Sequence, residues 1–211
     1  MKKILNPGTM LAPVPAVMVS CGLPDEKPNI ITIAWTGIIN SEPPMTYISV
    51  RKSRFSHEII SKTREFVINL TTEELAFATD WCGVKSGRDF DKFKEQTLTA
   101  VPSEKVACPS IKESPVCMEC RVTDVIEFPS HDMFIAEIVS VSADEKIMDE
   151  KGALHLERAK LVAYSHGHYF SIKKEELGRF GYSVMKPKTR KRYDAEKKAK
   201  YRQATRSKSR R

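Results

Sequence analysis

Residues 29–70, NIITIAWTGIINSEPPMTYISVRKSRFSHEIISKTREFVINL, gather most of the side chains in this chain that could do chemistry together. A β-branched run leads into Trp35-Thr36-Gly37, and a Ser-Glu-Pro-Pro turn follows. A second run ends on Arg51-Lys52-Ser53-Arg54, just ahead of a short helix that starts near Ser56. Hydroxyls, an indole and guanidinium groups therefore meet at two strand ends and a helix N-terminus. The helix dipole and the free N–H groups of a first turn favour an anion. Such a set suits a phosphate carried on a flat aromatic ring.

A flavin mononucleotide is a molecule of that shape. Its phosphate wants a cation, from Arg51, Lys52 or Arg54, and the hydroxyls of Ser53 and Ser56. Its ring wants an aromatic or apolar wall, which Trp35 can give, while Thr36 reaches toward the ribityl chain or the phosphate. Each residue has a structural alternative. Residues 51–54 read equally as an exposed turn with Ser56 as an ordinary helix cap. A tryptophan in a strand is commonly plain core.

The elements that must position these groups are mostly strands. Runs rich in β-branched and aromatic residues cover 16–21, 30–39, 45–50, 65–70, 116–128, 133–143 and 158–172, separated by Pro, Gly, Asp and Ser turns. Seven such runs predict an antiparallel barrel or sandwich. Short helices are expected at 56–62, from Thr71 where Thr71-x-x-Glu74 forms a capping box, and as a turn near 89–93. Residues 145–158 read as an acidic, helix-tolerant connector. Between Cys117 and Cys120 the spacing is that of a metal or redox motif, but no second pair completes a zinc site. On a strand the two would point to opposite faces, so they read as structural.

Charge bookkeeping separates a body from a tail. The 211 residues carry a net charge of +8, yet 13 Lys and Arg against Asp194 and Glu196 fall in residues 186–211. The rest holds 22 basic and 25 acidic groups, a mildly acidic body. The tail has too few apolar residues for a core of its own and reads as disordered or as a solvated helix. Nucleic-acid binding is therefore not expected except through that tail. Five cysteines, an odd number in a chain with its own core, predict reduced thiols in a cytoplasm. Lys2-Lys3 followed by Val19-Ser20-Cys21 imitates a lipidated leader, but Pro13 and Pro15 interrupt its apolar stretch. No apolar run approaches the roughly 18 residues that span a bilayer.

The ordered series Pro15-Ala-Val-Met-Val-Ser, Asn29-x-x-Thr32-x-Ala34-Trp35, Pro43-Pro44-Met, Ser49-Val-Arg-x-Ser and Glu65-Phe-Val-Ile-Asn-Leu resembles the flavin reductase-like family. So does the later His131-Asp-Met-Phe-Ile-Ala-Glu-Ile-Val. The likeness runs from about Pro13 to Val184 and is nearest to flavoredoxin-type members. It implies a mainly β fold, an antiparallel Greek-key split barrel with a few short peripheral helices. The domain would cover residues 1–185, followed by the basic tail at 186–211. It implies bound FMN, reduced nicotinamide as a transient reductant, a homodimer and a flavin or redox-partner protein as electron acceptor.

Carried over residue by residue, Asn29, Thr32, Ala34, Trp35 and Thr36 match the family's first flavin-binding strand. Ser49, Val50 and Arg51 match the second, where main-chain groups meet the flavin. Ser53 and Ser56 match the phosphate-side loop and helix start. Gly87-Arg-Asp-Phe-Asp-Lys92-Phe looks like the family's Asp-Lys-Phe element, which would bring Lys92 to the ring carbonyls or the N1 side. A surface salt bridge is the structural alternative for Lys92. His131, His168 and Tyr169 are candidates for the nicotinamide or flavin face, with hairpin closure the alternative for His131. His166 and His168 would share one strand face, but without a third ligand they predict no metal site. The residues contain no G-x-G-x-x-G fingerprint, which leaves a carrier reduced by another protein as the second reading.

Overall fold

The computed structural model describes residues 1–22, 25–173, 176–195 and 197. The chain divides into two compact units, Met1–Ile172 and Lys173–Arg211. In the second unit residues 187–195 are helical, and the Tyr193 hydroxyl donates to Glu176 Oε1. The expectations for the tail beyond residue 197 lie outside the described residues.

In chain order the first unit contains β1 (Val14–Pro15), β2 (Val17–Cys21), β3 (Asn29–Ile33), β4 (Thr36–Ser41), β5 (Pro44–Arg51), α1 (Phe55–Thr63) and β6 (Glu65–Leu70). Then follow α2 (Ala76–Val84), α3 (Lys92–Glu95), β7 (Ala100–Val101), β8 (Ser110–Ile111), β9 (Val116–Glu127), β10 (His131–Ala143), β11 (Val162–Ser165) and β12 (His168–Ser171). The main sheet is antiparallel, in the order β3-β2-β6-β9-β10-β5-β4. Its two edge strands, β3 and β4, are consecutive in sequence. The sheet must therefore curl until its edges meet at Ala34-Trp35, where the Ser49 amide donates to the Trp35 carbonyl at 2.9 Å. The result is a split barrel with its seam at Trp35. A smaller sheet, β1-β11-β12, carries Tyr164 and Tyr169.

Every residue of β2 is buried, because both faces of the strand are covered. Val17, Val19 and Cys21 turn into the barrel with Ile48, Ile60, Phe66 and Phe134. Met18 turns outward with Ile30 beneath Ala78, Cys82 and Phe93 of α2 and α3. A strand buried on both sides reads as a continuous apolar run, without alternation. Cys117 and Cys120 fall in different clusters, as an odd offset along a strand requires.

Several local expectations needed correction. The run at 30–39 is two strands, broken at the seam, since one flat strand could not close the barrel. The Thr71-Glu74 capping box does not form: the Thr71 hydroxyl donates to the Ala16 carbonyl, and α2 begins only at Ala76. The run at 158–172 is a 3₁₀ turn and a hairpin, with His166 (φ 48°) and Gly167 (φ 85°) in the left-handed region at its tip. His166 therefore lies in a turn and shares no strand face with His168. Helix α1 starts one residue earlier than expected, with Arg54 as its N-cap and Ser56 inside its first turn.

Candidate functional site

A groove runs along the barrel seam in two connected halves, both lined by Ile31, Arg51, Arg54 and Gly83. One half is aromatic and apolar, with a volume of about 360 Å³. Thr32, Ala34 and Trp35 from the β3–β4 bend form one wall, and Ser49 of β5 and His131 of β10 adjoin it. Tyr164 and Tyr169 of the small sheet also line it, paired across their hairpin with ring centroids 5.3 Å apart. Trp35 is 42% exposed despite its place in a β-rich core, and its ring lies 4.6 Å from that of His131. Burial and the Arg51 charge hold His131 below its ordinary pKa, against a weaker pull from Asp132. Ser130 Oγ lies 2.8 Å from His131 Nδ1 and fixes the ring. Burial, then the Asp80 carboxylate, push the Tyr169 phenol up to about 12, so it stays a hydrogen-bond donor.

The other half is basic, with a volume of about 410 Å³. Arg51, Arg54, Lys85 and Lys92 line it with Ser53, Ser56 and Ser86, and no Asp or Glu is among its lining residues. The N-terminus of α1 opens here, and no side chain caps it. The Arg54 and His57 amides donate to backbone carbonyls, and those of Phe55 and Ser56 are left to a ligand or water. Behind this surface Asn29 Nδ2 donates to Ser56 Oγ at 2.7 Å, while Asn29 Oδ1 is buried without a partner. Four cations, free helix N–H groups and hydroxyls in one acid-free pocket are a donor set for a dianionic phosphate. The aromatic half alongside suits the flat ring that would carry it.

Lys92 is 3% exposed and makes no salt bridge among the described residues. Its Nζ donates to the carbonyls of Ile30 and Cys82, each at 2.7 Å. Burial lowers its pKa to about 8, and Arg54 adds to that shift.

Most of the residues singled out from the sequence meet in this groove. Thr32, Ala34, Trp35, Ser49, Arg51, His131 and Tyr169 line the aromatic half, and Asn29, Arg51, Ser53, Ser56 and Lys92 the basic one. Three do not present side chains to it. Val50 points into the core, because alternation along β5 sends Ser49 and Arg51 to the groove and Val50 inward. The Thr36 hydroxyl is committed to the Tyr47 carbonyl at 2.5 Å across the β4–β5 pair. His168 lies on the face of β12 opposite Tyr169, beside Phe170 and exposed to solvent.

Lys52, one of the three cations considered for the anion, is drawn away to Asp132 (3.1 Å) and Glu127 (3.2 Å). Arg54 takes its place and lines both halves. Lys85 and Ser86 escaped sequence reasoning, although they directly precede the segment from Gly87 that flagged Lys92. Tyr164 could have been found only from its pairing with Tyr169.

Residues 10–173 match the flavin reductase like domain. An uncharacterized protein of Archaeoglobus fulgidus is 32% identical over 149 residues, 71% of this chain and 83% of that one. Among solved structures, the flavoredoxin of Desulfovibrio vulgaris (Miyazaki F) superposes with a TM-score of 0.80 at 31% identity. That match covers 85% of this chain and 97% of the other. A flavoredoxin from Methanosarcina acetivorans matches with a TM-score of 0.78 at 25% identity, over 88% of this chain and 100% of that one. The chain belongs to the flavin reductase-like family and has its split-barrel fold.

Proposed function

We propose that the chain binds FMN in the seam groove and passes electrons from reduced nicotinamide to a flavin or protein acceptor. The observation that carries this reading is the union of an acid-free basic pocket and an aromatic cleft along one barrel seam. Bound there, the flavin would supply the hydride and electron chemistry, and the protein its binding and orientation. Arg51, Arg54, Ser53 and the open N-terminus of α1 hold the phosphate. Trp35 and Tyr169, which both line the aromatic half, would pack against the ring and exclude water from it. His131, held neutral, offers a polar contact on the nicotinamide side without adding positive charge. The lack of a G-x-G-x-x-G fingerprint keeps a second version open, a carrier reduced by another protein.

A homodimer belongs to the same proposal. Edge strand β4 leaves Ile38 and Ile39 exposed next to the groove's Trp35 wall, and a second copy would cover them. Five unpaired, buried cysteines support a reducing cytoplasm. No helix among the described residues is long and apolar enough to cross a membrane.

The deciding experiment is an absorbance spectrum of purified protein, followed by cofactor release and chromatography. Yellow protein bleached by NADH or NADPH in anaerobic buffer supports the reductase. Bleaching by dithionite or a partner protein alone supports the carrier. A colourless protein that takes up no added FMN overturns both.

A further inference from the structure

The basic half of the groove contains one cation unlike the rest. Arg51 and Arg54 are exposed guanidinium groups. Lys92 is buried at the floor, its Nζ between the carbonyls of Ile30 and Cys82. A neutral amine has two N–H donors, and these two carbonyls use both. An ammonium has three, and among the described residues the third finds no protein acceptor. The pocket accepts Lys92 in either state, but an acceptor for the extra proton must come from a ligand or from water in the groove. The neighbouring charges push the same way. Arg54 disfavours another cation, Arg51 and Lys85 line the same wall, and no carboxylate lines the pocket. The facing thiols, Cys21 and Cys82, are held protonated by burial, up to about 12 and about 11, and offer no compensating charge near neutrality.

We infer that Lys92 couples anion binding in this pocket to proton uptake: with the site empty it sheds its third proton readily, and a phosphate group settling beside it holds it as an ammonium. The inference rests on the FMN reading and adds a proton to it. An anion supplies the missing third acceptor and reverses the local field, so protonation and binding reinforce each other. By linkage they do so reciprocally.

The empty-site pKa of about 8 sets the window. Lys92 is already charged well below that pH, so binding takes up little. Above it, each FMN bound takes up nearly one proton, and affinity falls about tenfold per pH unit. The phosphate's own second ionisation, near pH 6, is complete by pH 7.5 and does not contribute above it.

The test is calorimetric titration of the full chain with FMN at pH 7.5 and pH 9, in two buffers of different ionisation enthalpy. Uptake should rise from about a quarter of a proton to about nine-tenths of one per FMN. Lys92→Arg, charged throughout, should bind with no uptake and with affinity flat across that range, and Lys92→Met should also take up none. Should either variant fail to fold, the wild-type proton count decides alone. FMN binding without proton uptake at pH 9 overturns the coupling and leaves the flavin reading standing. FMN binding at no pH overturns both.

Discussion

Gly87 offers the sharpest test of how the basic pocket is built. A Cβ at this position would sit 2.0 Å from Asn29 Oδ1, where contacts under 3.0 Å do not occur, so the carboxamide must retreat. It has little room, being 3% exposed and tied by Nδ2 to Ser56 Oγ. Breaking that bond leaves buried polar groups unpaired, at about 1–3 kcal/mol. Against this, Gly87 lies outside the left-handed region, and replacing glycine there stabilises by about 0.4–1 kcal/mol through the unfolded chain. Gly87→Ala should therefore destabilise by roughly 1–2 kcal/mol, lowering Tm by about 2–8 °C in a chain of this size. In an Asn29→Ala background the obstacle is gone. The same substitution should there become stabilising by about 0.4–1 kcal/mol. Denaturant unfolding of the four proteins measures the cycle. Gly87→Ala as stable as wild type in the native background would refute the reasoning.

Two further outcomes can be checked. Arg54→Ala should weaken FMN about tenfold, the loss of a charge-assisted contact, and leave riboflavin binding nearly unchanged, read by flavin fluorescence quenching; equal losses would show that Arg54 does not serve the phosphate. His155 pairs with Asp149 (3.0 Å) and Glu157 (2.9 Å), which raise its pKa, while Asp149 is lowered to about 2, first by His155 and then by backbone N–H groups. The His155 contribution is present below its unfolded value near 6.5 and lost as pH rises through the higher folded value. The Asp149 contribution is present above about 3.8 and lost as pH falls through about 2. His155→Gln should thus lower Tm at pH 5–6 and converge on wild type by pH 9, and an equal deficit at both would contradict the assignment.

The sequence made the strands at 16–21, 65–70, 116–128 and 133–143 legible, because burial and β-branched composition agree there. It did not show where the run at 30–39 breaks. That break is set by closure of the sheet, through a bond between Ser49 and Trp35 that no local pattern encodes. The site followed the same division. Ser49 and Arg51 were readable from a strand and its end, while the choice between Lys52 and Arg54 depended on Asp132 and Glu127, some 75 to 80 residues later. Thr71-Glu74 misled because a capping pattern is local, and the Ala16 carbonyl competed for the hydroxyl from across the fold. Lys92 was visible as a motif residue, but its burial between two carbonyls was not.

All five cysteines are buried, and burial raises every one of their pKa values, Cys21 and Cys120 to about 12. At neutral pH almost none of this sulfur is thiolate, the form that attacks disulfides and is attacked by peroxide. The body of the protein is thus chemically silent toward the thiol pools of a cell. Electrons entering or leaving it would have no dithiol path to short-circuit through. Any reactive oxygen made where a reduced cofactor meets air would find no thiolate exposed nearby. Placing every thiol in the core keeps cysteine chemistry away from the groove at Trp35.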